Sequence, residues 1–333
     1  MLPWNEMNFT NKIKDTAGEI IKWNNSGGQI LNVISPPYNS TRIFMDIINA
    51  YTRQNKDVLY VTEEEPSNVD IINNIKKYTD FKGYTYVKDG KNNANCLFKV
   101  CNFCNALKLR EKFQLIIYDD INSFPLHGKY EVIDLIHRLM CGHGKAIVYS
   151  IENISGNGEE LFFPLAEGGP IVEPRTVLTR FDMNRDIPFV VYDYLKWSLS
   201  KNTGVVIYVP DKLKITNVYS YIYNYCRNLC KNIVCSINRE EFYPMKNSIL
   251  ITDSFDEVIS CGKNSNVMVY FADNTSFDYK KFVYLCGNVK RGGENSKGEV
   301  IMVANLKTED MRKAKDITSN FNREAWDMDL LKI

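Results

Sequence analysis

The sequence predicts an α/β protein of two halves, each holding a mostly parallel sheet. Three observations lead there. Short apolar runs alternate with amphipathic helical segments along the chain, a Gly- and Pro-rich stretch interrupts them near the middle, and 333 residues suffice for two domains of roughly 100–200 residues each. Apolar strands joined by helices imply a sheet covered on both faces.

The elements follow in order. Residues 1–28 read as an N-terminal lead helix, and 29–183 as the first domain. "QILNVI" is a strand, followed by a helix with Ile43, Phe44, Ile47, Ile48 and Tyr51 on one face. Next come the strand "DVLYVT", a helix through "VDIINNIKKY", the short strands "YTYV" and "CLFKV", and the strand "FQLIIYDD". A helix with Val132, Ile136 and Leu139 leads to the strand "KAIVYS".

Residues 152–188 break the pattern with "NISGNGEE", "PLAEGGP" and "MNRDIP", and read as the crossing between domains. The second domain, 184–333, resumes with the helix "VVYDYLKWSL", the strand "TGVVIYV" and a Tyr-rich helix expected to bury Val218, Ile222, Tyr225 and Leu229. The strands "NIVCSI", "SILIT", "NVMVYFA" and "GEVIMVA" follow. A last helix opens at Thr308, an N-cap residue with Glu309 and Asp310 in its first turn.

Composition narrows the function classes. Hydrophobic content of 44% with 24% charged residues describes a globular chain, which excludes disordered and fibrous ones. A net charge of +1 gives no overall field toward nucleic acid or a membrane surface, so any basic surface is local. Nine cysteines, an odd count without a framework, point to reduced thiols. Cys101-Asn102-Phe103-Cys104 has no second such pair, so buried thiols are the better reading than zinc. The start lacks the order of a signal peptide, and no apolar run approaches the ~18 residues of a membrane span. A cytoplasmic protein is expected.

The stretch "ILNVISPPYNSTRIFMDII" reads as strand, loop and helix, the layout in which a phosphate-binding loop sits. Such a loop works because glycines reach φ > 0 and aim backbone N–H groups at phosphates. Here Pro36 and Pro37 remove two donors, and Asn39 is the residue best suited to a left-handed conformation. Thr41 keeps a hydroxyl suited to Mg²⁺, although helix capping explains Asn39, Ser40 and Thr41 as well. Asp119 and Asp120 end a buried strand, where an acid can hold Mg²⁺ and its neighbour can orient a water. Two acids at a strand end can equally serve only to cap and solvate.

From Gly28 onward the chain resembles the ComF operon protein A family, helicase-like ATPases of superfamily two that act in bacterial DNA uptake. "LIIYDDINSFP" is similar to the family's Walker B stretch, and "TRFDMNRDIP" to its inter-domain segment. "ILITDSFDEV" stands where the family has TTTILERG, "FVYLCGNVKRGGENSKGEVIMVA" follows its LVQIAGRVGR…TGEVIFF without a gap, and "KTEDMRKAKDITSNFNREA" reads like its closing helix. The family's N-terminal zinc module has no counterpart here. The resemblance implies tandem RecA-like domains forming a helicase core, with ATP and Mg²⁺ as ligands.

The same resemblance shows what has eroded. Ser40 stands at the Walker lysine, Asp120 at the usual Glu, and of the arginine pair in GRVGR only Arg291 remains, with Asn288 at the first position. Thr62-Glu63-Glu64-Glu65 replaces a Thr-Pro-Arg segment that lies near DNA, and Glu257-Val258-Ile259 replaces Glu-Arg-Gly. The expectation is a helicase-fold protein of DNA uptake or processing with impaired or lost hydrolysis, holding neither ATP nor Mg²⁺. Single-stranded DNA bound weakly, competence-machinery proteins and an intact paralogue are the partners this implies. An active single-strand DNA translocase and a non-catalytic protein-interaction module are the alternatives.

Overall fold

The computed structural model describes residues 6–88, 96–156, 158–166, 169–230, 232–238, 246–263, 265–289 and 298–331. The chain divides into two compact units, Met1–Pro170 with Phe321–Ile333, and Ile171–Asn320.

The first unit opens with α1 (Glu6–Asn24) and β1 (Ile30–Ile34). A 3-10 turn, Thr41–Phe44, runs into α2 (Met45–Arg53), followed by β2 (Val58–Thr62), α3 (Asp70–Tyr78), β3 (Tyr84–Tyr86), β4 (Phe98–Cys101) and α4 (Phe103–Ala106). Then come β5 (Phe113–Asp119), α5 (Lys129–Leu139), β6 (Met140–Ser150) and β7 (Glu159–Phe162). Their order in the sheet is β3-β4-β2-β5-β6-β1-β7, and every pairing of these strands is parallel. β2 is buried at all five positions, as a strand covered on both faces must be. One core cluster packs Leu59, Val61, Ile116 and Val148 of the sheet against Val132, Leu135, Ile136 and Leu139 of α5. Ile43, Phe44, Ile47 and Ile48 are fully buried, so the expected stripe of α2 is core.

The second unit comprises β8 (Arg175–Leu178), α6 (Phe189–Ser200), β9 (Gly204–Tyr208), α7 (Lys212–Cys226), β10 (Asn232–Cys235), β11 (Ser248–Thr252) and α8 (Phe255–Gly262). It continues with β12 (Ser265–Tyr270), α9 (Tyr279–Asn288), β13 (Val300–Ala304) and α10 (Glu309–Asp327), whose last turns belong to the first unit. This sheet, in the order β10-β11-β9-β12-β13-β8, is also parallel throughout. Thr308 caps α10 as expected, its hydroxyl accepting from the Met311 N–H at 3.2 Å.

Two strands emerge where the sequence shows only Gly and Pro. β7 and β8 are edge strands with half-exposed faces, too short and polar for a periodic signal; pairing with β1 and β13 makes them strands. The Tyr-rich helix also turns differently. Ile215, Val218, Tyr221, Ile222 and Cys226 of α7 face the core, whereas Tyr225 is exposed and Leu229 lies beyond the helix. Among the described residues no helix is long and apolar enough to cross a membrane.

Candidate nucleotide site

β5, β6 and β1 are neighbours in the first sheet, so the loops after β1 and β5 meet at its carboxyl edge, where parallel α/β sheets bind ligands. Asn39, Ser40, Thr41, Asp119 and Asp120 all lie there. The Tyr38 N–H donates to the Ile121 carbonyl at 2.8 Å and ties the two loops together.

The loop after β1 turns its donors inward. Ser35 N–H donates to the Ser150 carbonyl at 3.0 Å, and Ser40 N–H to Asn39 Oδ1 at 2.8 Å. Asn39 is buried, and its amide donates to Ser35 Oγ at 2.9 Å and to the Leu165 carbonyl at 3.0 Å. The left-handed residue is Tyr38, at φ 58°, rather than Asn39. Asn39 is instead held by its amide bonds, which shifts the turn one residue earlier. Ser40 caps the 3-10 turn, accepting from the Arg42 N–H at 3.3 Å, and the Tyr149 hydroxyl reaches Ser35 Oγ at 3.2 Å.

Thr41 is fully buried, and its polar atoms face α3. Asp70 Oδ2 accepts from both the Thr41 N–H at 3.0 Å and the Thr41 hydroxyl at 2.7 Å. The Asn74 amide donates to the same carboxylate oxygen at 2.9 Å and to Thr41 Oγ1 at 3.1 Å. A phosphate cradle offers consecutive N–H groups and a hydroxyl to its ligand. Here the N–H groups of Ser35, Tyr38, Ser40 and Thr41 and the Thr41 hydroxyl all point at protein acceptors, so this arrangement does not fit a Mg²⁺-triphosphate.

Asp119 is buried and takes four hydrogen bonds from neutral donors. Oδ2 accepts from the Tyr60 hydroxyl at 2.5 Å and the Asn122 amide at 3.2 Å; Oδ1 accepts from Ile121 N–H at 2.7 Å and Asn122 N–H at 3.3 Å. Burial pushes its carboxyl above the ordinary range, and those hydrogen bonds partly offset the rise. Asp120 is buried too, hydrogen-bonded to the Tyr118 phenol, with its own N–H on the Tyr149 carbonyl at 2.9 Å. Nearby, burial and then the Asp119 charge push Glu64 well above the ordinary glutamate range. The site gathers acids. Among the described residues no cluster of three His, Cys, Asp or Glu is arranged to hold a metal ion.

The Glu63-Glu64-Glu65 loop is not simply a solvated acidic loop. Glu63 and Glu64 are half-buried and cap helices: Glu63 accepts from Phe103 N–H of α4 at 2.9 Å, and Glu64 from Asp70 N–H of α3 at 3.1 Å. His127 stacks on Phe103 with ring centroids 3.8 Å apart and sets Nε2 3.6 Å from Glu63. Only Glu65 is exposed, on the rim of a cavity of about 450 Å³ that Lys88 and Asn105 also line. Cys101 is buried and its thiol pushed up to about 12 by burial, while Cys104 is exposed, which departs from the expectation for that pair.

In the second unit, Asn288 is fully buried and donates to the Ile259 carbonyl at 2.7 Å, tying α9 to α8. Glu257 accepts from the Thr252 hydroxyl at 2.6 Å. Both side chains serve the packing of this unit. Arg291 lies outside the described residues. Sequence reasoning missed Tyr60, Asp70 and Tyr149, whose only sequence signal was an acid opening the α3 pattern.

By sequence the chain matches no family model and no curated protein. By structure it is similar to RecG bound to a three-way DNA junction, at 13% identity and TM-score 0.57, over 98% of this chain and 46% of that one. The E. coli DExH-box NTPase HrpB is similar at 12% identity and TM-score 0.53, over 91% of this chain and 42% of that one. S. cerevisiae Dbp5 bound to RNA and ADP BeF3 is similar at 8% identity and TM-score 0.52, over 98% of this chain and 95% of that one. The fold is a tandem RecA-like one, two α/β units with parallel sheets. The chain spans less than half the length of RecG and of HrpB.

Proposed function

We propose that this chain is a helicase-fold protein of DNA uptake or DNA processing, akin to the ComF operon protein A family, that has lost ATP hydrolysis and serves as a binding or scaffolding element. One observation carries this reading: four N–H groups of the loop, those of Ser35, Tyr38, Ser40 and Thr41, and the Thr41 hydroxyl are already bonded within the protein. Ser40 at the lysine position removes the cation that would reach the β- and γ-phosphates. Asn288, buried between α8 and α9, removes one of the two arginines. The similarity to RecG, a protein solved on DNA, supports a nucleic-acid setting.

A second reading, a protein-interaction module that binds no nucleic acid, is favoured by Glu63, Glu64 and Glu65 at the position where the family contacts the DNA backbone. Turnover and DNA affinity separate the readings. The purified protein with single-stranded DNA and Mg²⁺-ATP is expected to hydrolyse no more ATP than its Asp119→Asn variant; steady turnover abolished by that substitution overturns the proposal. Single-stranded DNA binding that weakens steeply with salt selects the DNA-binding element. Weak binding with little salt dependence selects the interaction module.

A further inference from the structure

We infer that Asp70 is a built-in occupant of the phosphate position, an autoinhibitory contact that keeps the loop after β1 closed to phosphate. The inference rests on the reading of a catalytically silent site and names what holds it silent. The first turn after a β-strand is where N–H groups and a Thr hydroxyl take up a phosphate and its metal. In this chain one carboxylate oxygen does both tasks, lying 3.0 Å from Thr41 N and 2.7 Å from Thr41 Oγ1.

The contact is fixed from three sides. Asn74, one turn further along α3, donates to the same oxygen at 2.9 Å and to the Thr41 hydroxyl at 3.1 Å, so the carboxylate cannot turn without breaking a shared network. Glu64 holds the Asp70 N–H at 3.1 Å and fixes the start of α3. Thr41 itself is fully buried. An arriving phosphate must replace a half-buried carboxylate that is already hydrogen-bonded and tethered to its own chain, a competitor of high effective concentration. It must also do so beside the charge of Asp119, which acts on Glu64 and Tyr60 from the neighbouring strand.

The test uses the full chain, with inorganic phosphate and Mg²⁺-ADP as probes and chloride at matched ionic strength as the control. The readouts are thermal melting and amide hydrogen exchange of the peptide containing Thr41. Wild-type protein is expected to show neither a shift in Tm nor added protection. Asp70→Ala, folded by circular dichroism, is expected to exchange the Thr41 amide faster. Millimolar phosphate should then restore its protection and raise Tm by on the order of a few degrees. Asp70→Asn keeps the shape without the charge and should show a weaker gain; it serves if Asp70→Ala fails to fold. Phosphate protection of Thr41 in the wild type overturns the inference. So does a folded variant whose Thr41 amide exchanges faster but which takes up no phosphate. ATP turnover by the wild type sinks the silent-site reading instead, and is scored separately.

Discussion

The Tyr60 hydroxyl donates a 2.5 Å hydrogen bond to Oδ2 of Asp119, joining the middle of β2 to the end of β5 inside the first unit. Both groups are buried, and burial followed by the Asp119 charge pushes the Tyr60 phenol well up. The phenol therefore stays a donor, and the acid that ends β5 spends a lone pair on the core. Tyr60→Phe should cost about 1.5–3 kcal/mol, the range for a hydrogen bond to a charged group. In urea titrations the loss should be larger at pH 8 than at pH 5, where a raised carboxyl is partly protonated and needs the donor less. Equal losses at both pH values would show that Asp119 does not titrate there.

Glu64 gives a second pH dependence, with a definite sign. Its carboxyl holds a proton more tightly in the folded chain than in the unfolded one, so the native state binds more protons once pH passes the ordinary glutamate range. Its contribution to stability is full below that range and is lost as pH climbs toward the raised value. Asp119 acts in the same direction. Glu64→Gln, which needs no proton, should flatten the decline and melt above wild type at pH 8, with little difference at pH 4. A variant that melts below wild type at pH 8 would mean that the ionised form is the one the fold requires.

Asn39 separates a structural loop from a ligand-binding one. Asn39→Ala removes the donor to the Leu165 carbonyl and the acceptor for the Ser40 N–H, and should cost about 1–3 kcal/mol in denaturant unfolding without any ligand present. A loss below about 0.5 kcal/mol, the range of ordinary surface changes, would argue that the residue is kept for a ligand instead.

An arginine at position 288 should damage the fold rather than confer activity. Asn288 is fully buried, and its amide nitrogen lies 3.0 Å from the position a Cβ on Gly262 would take. Asn288→Arg forces a charge and extra volume into that contact, a loss of several kcal/mol by the combined cost of overpacking and an unpaired buried charge. Poor expression or a Tm far below wild type is expected; a stable variant with ATP turnover would contradict it.

Of the three glutamates only Glu65 can be changed cheaply, because Glu63 and Glu64 cap helices. Glu65→Lys should move stability by no more than about 0.5 kcal/mol. If single-stranded DNA runs along this loop, the variant should bind it more tightly at low salt, with a log–log salt slope steeper by about 0.7 for one added phosphate contact. An unchanged slope places the loop off any DNA path.

Most of the fold was legible in the sequence because it depends on local pattern. Buried parallel strands such as β2 and β5 must be apolar at nearly every position, and α2 and α5 show their core faces at helical spacing. β7 and β8 were not legible, since their strand character comes from neighbours far along the chain. The site divides the same way. The sequence by itself determined that two prolines stand in the loop after β1 and that a pair of aspartates stands at the end of β5. It also left Asn39, Ser40 and Thr41 readable as caps, a role Ser40 does play.

Only the tertiary structure decided where the remaining donors point. Thr41 meets Asp70 across 29 positions of sequence, and Asp119 meets Tyr60 across 59. A hydrogen bond between elements depends on how strands order themselves and on which helix lies over them, and no local spacing encodes that. The sequence could name a strand–loop–helix segment whose loop holds no glycine or lysine; the packing of α3 against that loop decided that the Thr41 hydroxyl and amide are already engaged.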